Sequence, residues 1–142
     1  MRLPWLRDQH GQATVEFAFV VVILMAIMAG FVDLGRAVWH YNSISMAARS
    51  GARYAIVRGS SSASPVGTDN CGDTLTALVR AKVPGLPNSG ITVTCTWPDG
   101  GHDPGDEVRV NVVVSYTPIM LAFIPGNPPI SMQAESRMTI AY

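Results

Sequence analysis

The sequence predicts an α+β fold, in which a long N-terminal helix packs on a small antiparallel sheet of about three strands, with one short extra helix. Three observations predict it. Phe17 to Val32 (FAFVVVILMAIMAGFV) runs without a charge, Asn, Gln, Ser or Thr. No proline interrupts the chain between Gln12 and Pro65. Three later segments alternate apolar and polar residues with the period of a strand.

A bilayer core about 30 Å thick needs roughly 20 apolar helical residues. The run reaches that length only by including Ala13, Thr14, Val15 and Glu16, so one carboxylate falls within the lipid or at its edge. After Val32 the apolar positions become periodic, with Leu34, Val38, Tyr41, Ala48, Ala52 and Ala55 near helical spacing. The expected helix runs from Ala13 to Val57. At about 1.5 Å per residue it exceeds 60 Å, so its second half stands outside the membrane as the spine of a small domain. The expected organisation is therefore a leader over 1–11, a transmembrane half over 12–33, an extracytoplasmic helix half over 34–58 and an extracytoplasmic α+β domain over 59–142.

Gly59 to Asn70 (GSSSASPVGTDN) has loop composition. A short helix follows, with Asp73 as its expected N-cap, Leu75, Leu78, Val79 and Val83 on one face, and Pro84-Gly85 as its stop. The alternating segments are Ile91 to Trp97, Val108 to Tyr116 and Ile130 to Ile140. The first two are joined by PDGGHDPGDE, whose turn chemistry predicts an antiparallel hairpin, with the third strand alongside and the outer half of the long helix as cover. Both cysteines, Cys71 and Cys95, follow the apolar run. That suits a disulfide in an oxidising compartment; the alternative is two small buried thiols.

Composition narrows function. The formal net charge is zero, only 14% of residues are charged, and no basic block exists to hold a nucleic-acid backbone. His10, His40 and His102 are scattered, with no Ser/His/Asp, Cys/His or phosphate-loop pattern beside them. Asp99, His102, Asp103, Asp106 and Glu107 crowd one glycine-rich turn, but their spacing does not fit a calcium loop. The reading is not an enzyme, with no catalytic residues, cofactor, metal or small-molecule substrate.

Asp33 and Arg36, three apart where the apolar run ends, read as a solvated interface pair and as candidate contacts to a partner helix. Arg49, Arg53 and Arg58 read as a solvated face. Pro118 to Pro125 (PIMLAFIP) is unusually apolar for a connection, so it either folds over the core or offers a sticky surface to a partner or the bilayer.

The most informative stretch is Gly11-Gln12-Ala13-Thr14-Val15-Glu16-Phe17. A carboxylate in an apolar helix costs about 2.5 to 3.5 kcal/mol on insertion scales and calls for a compensating charge. A cut after Gly11 would supply one, because the new α-amino group of Gln12 lies about one helical turn from Glu16. An ordinary secretory signal peptide fits less well, since no small-x-small site ends the run. The positive-inside comparison is nearly a tie between Arg2 and Arg7 on one side and Arg36 and Arg49 on the other.

At Gly11, Glu16 and Phe17 the chain resembles the type IV prepilins. From Gly11 to about Val57 it looks like the TadE-like proteins, minor pilin or pseudopilin components of the tight-adherence (Flp) pilus system, through GQATVEF, DLGRA at Asp33 to Ala37 and ARSGARYA at Ala48 to Ala55. The resemblance implies a pilin-like fold and cleavage between Gly11 and Gln12 by a prepilin peptidase. It implies assembly through Glu16 and Phe17, and other pilins, pseudopilins and pilus assembly proteins as partners. The expected location is the bacterial cytoplasmic membrane, single-pass, with the C-terminal domain periplasmic or extracellular and the subunit available to a pilus. The alternative is an uncleaved, membrane-anchored periplasmic scaffold or binding module of the same machine.

Overall fold

A computed structural model describes residues 9–66, 71–85, 88–122, 126 and 128–141. Its elements are α1 (Gln9–Ile56), α2 (Gly72–Ala81), β1 (Ile91–Thr96), β2 (Glu107–Tyr116), α3 (Ile119–Ala122) and β3 (Ile130–Thr139), with a single 3-10 turn at Asn88–Gly90 before β1. The α+β class expected from the sequence is the one observed.

Helix α1 is 48 residues long, which at 1.5 Å per residue is about 72 Å. It starts before the expected Ala13 and runs through Gly11, because nothing from Gln9 to Gln12 breaks a helix strongly enough to outweigh the formers that follow. Beyond Asp33 a stripe of α1 is buried: His40, Ile44, Ala47, Ala48, Gly51, Ala52 and Ala55. These positions recur every three or four residues, the spacing of one helix face.

The sheet has the order β1-β2-β3, antiparallel throughout. Central strand β2 turns Val108, Val110, Val112, Val114 and Tyr116 to the core. Register sets Ile91, Val93 and Cys95 of β1 beside Val114, Val112 and Val110. On the other side Met138, Ser136, Ala134 and Met132 of β3 oppose Val108, Val110, Val112 and Val114. Helix α1 lies over β2 and β3, while α2 packs on α1 and reaches β1.

Small residues set how closely the helix approaches. A Cβ built on Gly51 would lie 2.9 Å from Cγ2 of Val79 and 3.1 Å from Cγ1 of Val110, so α1 meets both α2 and β2 where it has no side chain. The far end of α1 is tied down as well. The Ala141 N–H donates to the Ile56 carbonyl at 3.0 Å, filling one of the acceptors a helix end leaves open, and Ser60 N–H donates to the His102 carbonyl at 2.9 Å.

Three expectations need correction. Asp73 is not the N-cap of α2: it lies within the first turn, and Cys71, at φ 60, occupies the cap position without a side-chain cap bond. Cys71 is bonded to Cys95 on β1, so the head of α2 is positioned by a covalent tie to the sheet. Trp97 falls just past β1, where its ring stacks on His102 at 4.0 Å between centroids. Asp33 is not a solvated residue but a buried one, for reasons given below.

The crowded acidic turn spends its carboxylates on backbone geometry. Asp99 accepts from Glu107 N–H at 2.8 Å, Asp106 from Asp103 N–H at 3.0 Å, and Asp103 from the Ser60 hydroxyl at 2.7 Å. Among the described residues no group of His, Cys, Asp and Glu is arranged to hold a metal ion.

Candidate functional site

Two places on α1 carry the chemistry singled out in the sequence: its bare N-terminal segment, and the point where it first meets the domain.

From Gly11 to Val32 no residue of α1 is buried by the rest of the chain. Phe17, Phe19, Val22 and Phe31 are each more than 60% exposed. A helix apolar on every side is normally a core helix or a membrane span, and this one is not in the core. It is long and apolar enough to cross a bilayer, and no part of its most apolar window is buried. Among the described residues α1 is the one helix with these properties, which suit a membrane anchor ahead of the sheet-bearing part of the chain.

Gly11, Gln12, Glu16 and Phe17 all lie on this exposed segment. Gln12 and Glu16 are one turn apart, and with Val15, Phe19, Val20 and Ile23 they share one face. A Cβ on Gly11 would meet nothing within 4 Å, so packing within the chain does not explain the glycine. Residues 1–8 of the expected leader lie outside the described residues.

The second place is Asp33. Its Oδ1 accepts the Ile119 N–H at 2.8 Å and its Oδ2 accepts the Met120 N–H at 2.9 Å. The Tyr116 hydroxyl donates to the Asp33 backbone carbonyl at 3.0 Å. Arg36 Nη1 stands 3.8 Å from the Asp33 carboxylate, and the guanidinium lies 5.6 Å from the centre of the Tyr116 ring. Asp33 thus satisfies the free N–H groups that open α3, across 86 and 87 residues of sequence. Two turns further along α1, His40 is buried with its ring 5.5 Å from Tyr116 and its Nδ1 unpartnered. Burial pushes the His40 pKa down, and the Arg36 charge adds to that; burial, then the nearby Asp33 carboxylate, push the Tyr116 pKa up.

Sequence reasoning located Asp33, Arg36 and the apolar PIMLAFIP segment but did not join them. It treated His40 and Tyr116 as unconnected. The available signal was an Asp at the end of an apolar run together with a distant Pro-initiated apolar turn, which could take the Asp as its cap.

The exposed apolar helix with one glutamate at its head, continuing into an Asp33-bearing domain face, coincides with the region that comparison picks out. A family model described as "TadE-like protein" matches residues 11–53. Over those residues, about a third of the chain, the protein is similar to the TadE-like family. The TadE-like match covers α1 from Gly11 to within a turn of its end, including Glu16, Asp33, Arg36 and Gly51, and leaves the sheet outside. No curated protein and no solved structure matches the chain.

Proposed function

We propose that this chain is a TadE-like minor pilin or pseudopilin of the tight-adherence pilus system, cut by a prepilin peptidase between Gly11 and Gln12 and assembled into the pilus or its initiation complex through α1. The observation that carries the reading is the placement of Gln12 and Glu16 on one face of the largely apolar, exposed N-terminal half of α1. After cleavage an α-amino group and a carboxylate stand about 6 Å apart along the helix axis, close enough to neutralise each other within one subunit or between neighbours. In the membrane that pairing lowers the cost of holding Glu16 in lipid. On assembly it favours one register between helices that otherwise offer each other only apolar side chains. The soluble domain then faces away from the cytoplasm, where the Cys71–Cys95 bond is compatible with the redox environment.

Mass spectrometry of membrane-extracted protein tests the cut: a mature N-terminus at Gln12 is expected, and an intact residue 1–11 segment would overturn the pilin reading. One observation favours the second reading, an uncleaved anchored scaffold of the same machine. Helix α1 continues unbroken from Gln9 through the Gly11–Gln12 bond, so a peptidase must first unwind that turn. Terminal turns fray readily, which keeps the bond accessible.

A further inference from the structure

Beyond its membrane-spanning helix, we infer that the chain has a second membrane contact: the turn that opens α3, held by Asp33, rests on the phospholipid surface through Ile119 and Met120. The inference rests on the single-pass anchor reading but not on cleavage or pilus assembly.

The argument begins with height. Asp33 is the first charged residue after the apolar run that ends at Val32, so it marks where α1 leaves the hydrocarbon. Its two carboxylate oxygens accept the N–H groups of Ile119 and Met120 at 2.8 and 2.9 Å, which fixes that backbone at the same level. The chain reaches this point from β2 through Pro118, which is buried, and then exposes two large apolar side chains in succession: Ile119 at 43% and Met120 at 38%.

Exposed apolar groups away from the core need an apolar neighbour, and here one is adjoining. Ala29 and Gly30, one turn below Asp33 on the same face of α1, belong to the apolar span and are not buried by the domain. The exposed side chains of Ile119 and Met120 therefore stand at the level where that face of α1 leaves the bilayer. The surroundings suit the headgroup layer: Arg36 presents an exposed guanidinium for lipid phosphate, and Trp39, half-exposed about 9 Å further up the helix, has the ring type enriched at membrane interfaces. A single helix leaves its domain free to swivel and tilt; a second foothold sets which face of the sheet points away from the membrane.

Depth-dependent quenching tests this. Both native cysteines are in the disulfide, so Met120→Cys provides one labelling site in the full-length chain. The control is Ala63→Cys, at an exposed position in the loop beyond the far end of α1, about 35 Å along the helix direction from Asp33. Each is labelled with an environment-sensitive fluorophore and reconstituted in phosphatidylcholine–phosphatidylglycerol vesicles carrying nitroxide lipids. The expected result is at least threefold stronger quenching at position 120 than at 63, greater for a shallow nitroxide than for a deep one. Asp33→Asn, which keeps one acceptor oxygen, should reduce quenching at 120 while the domain still unfolds cooperatively. Equal quenching at 120 and 63 overturns the inference. So does a label at 120 that is shielded from lipid but crosslinks to a second copy in proportion to protein density.

Discussion

Gly51 gives the most demanding test of how the domain is held together. Its missing side chain lets α1 settle between Val79 of α2 and Val110 of β2, both fully buried. Gly51→Ala places a methyl 2.9 Å from Val79 Cγ2, 3.1 Å from Val110 Cγ1 and 3.6 Å from Leu75 Cδ2. Ordinary carbon contacts are about 3.5 to 4.0 Å, so one of the three elements must retreat by roughly half an ångström or more. Neither valine can easily turn its methyl aside, because β-branched side chains have few accessible rotamers. Overpacking of this kind costs about 1–3 kcal/mol, while replacing Gly by Ala inside a helix returns about 1 kcal/mol. The net expectation is destabilisation by about 1 kcal/mol for Ala and by about 3 kcal/mol or more for Gly51→Val, which adds two further methyls. Gly35, on the same helix, has nothing within 4 Å of its built Cβ, so Gly35→Ala keeps only the propensity gain and should stabilise by about 0.5–1 kcal/mol. Urea unfolding of the full-length chain in detergent micelles, followed by near-ultraviolet circular dichroism, gives all three values. If Gly51→Ala stabilises as much as Gly35→Ala, the close approach described here is wrong.

Four other outcomes are expected. Glu16→Ala should leave the unfolding midpoint of the domain unchanged, since α1 makes no tertiary contact there, yet lower incorporation into pili by immunoblot of sheared fibres; normal piliation would remove the pairing argument. Tyr116→Phe loses the hydroxyl that reaches the Asp33 carbonyl and should cost about 1 kcal/mol in the same unfolding assay. Reduction of Cys71–Cys95, 24 residues apart, should cost about 3 kcal/mol on the chain-entropy account; without reductant, thiol labelling of the denatured chain should detect no free cysteine. His40 has a depressed folded-state pKa, so the unfolded chain binds its proton first as pH falls. Stability should therefore be complete above the unfolded value of about 6.5 and decline below it, and His40→Phe should flatten that part of the profile between about pH 7.5 and 5.

The sequence by itself determined the class of fold and most of its elements, because the relevant signals are local. An uncharged run such as Phe17 to Val32 has no soluble home except a core, and the absence of proline from Gln12 to Ser64 favours one long helix. The alternation in Val108 to Tyr116 assigns each side chain a face before any partner is known, since a strand has only two. The same locality made Glu16 conspicuous, because one carboxylate among apolar neighbours needs no structure to be noticed.

Tertiary structure decided everything that depends on residues far apart in the chain. Asp33 is a surface charge by its neighbours and a cap by its partners, and those partners, Ile119 and Met120, are more than 80 residues away. Asp73 had the right local chemistry for a cap, yet the cap falls two residues earlier, at Cys71, whose bond to Cys95 places it against β1. Gly51 is an ordinary glycine in sequence and becomes a contact point only where α1, α2 and β2 converge. Periodicity tells which face of a helix is buried. How near the next element comes, and which distant backbone a carboxylate can reach, depends on packing in three dimensions.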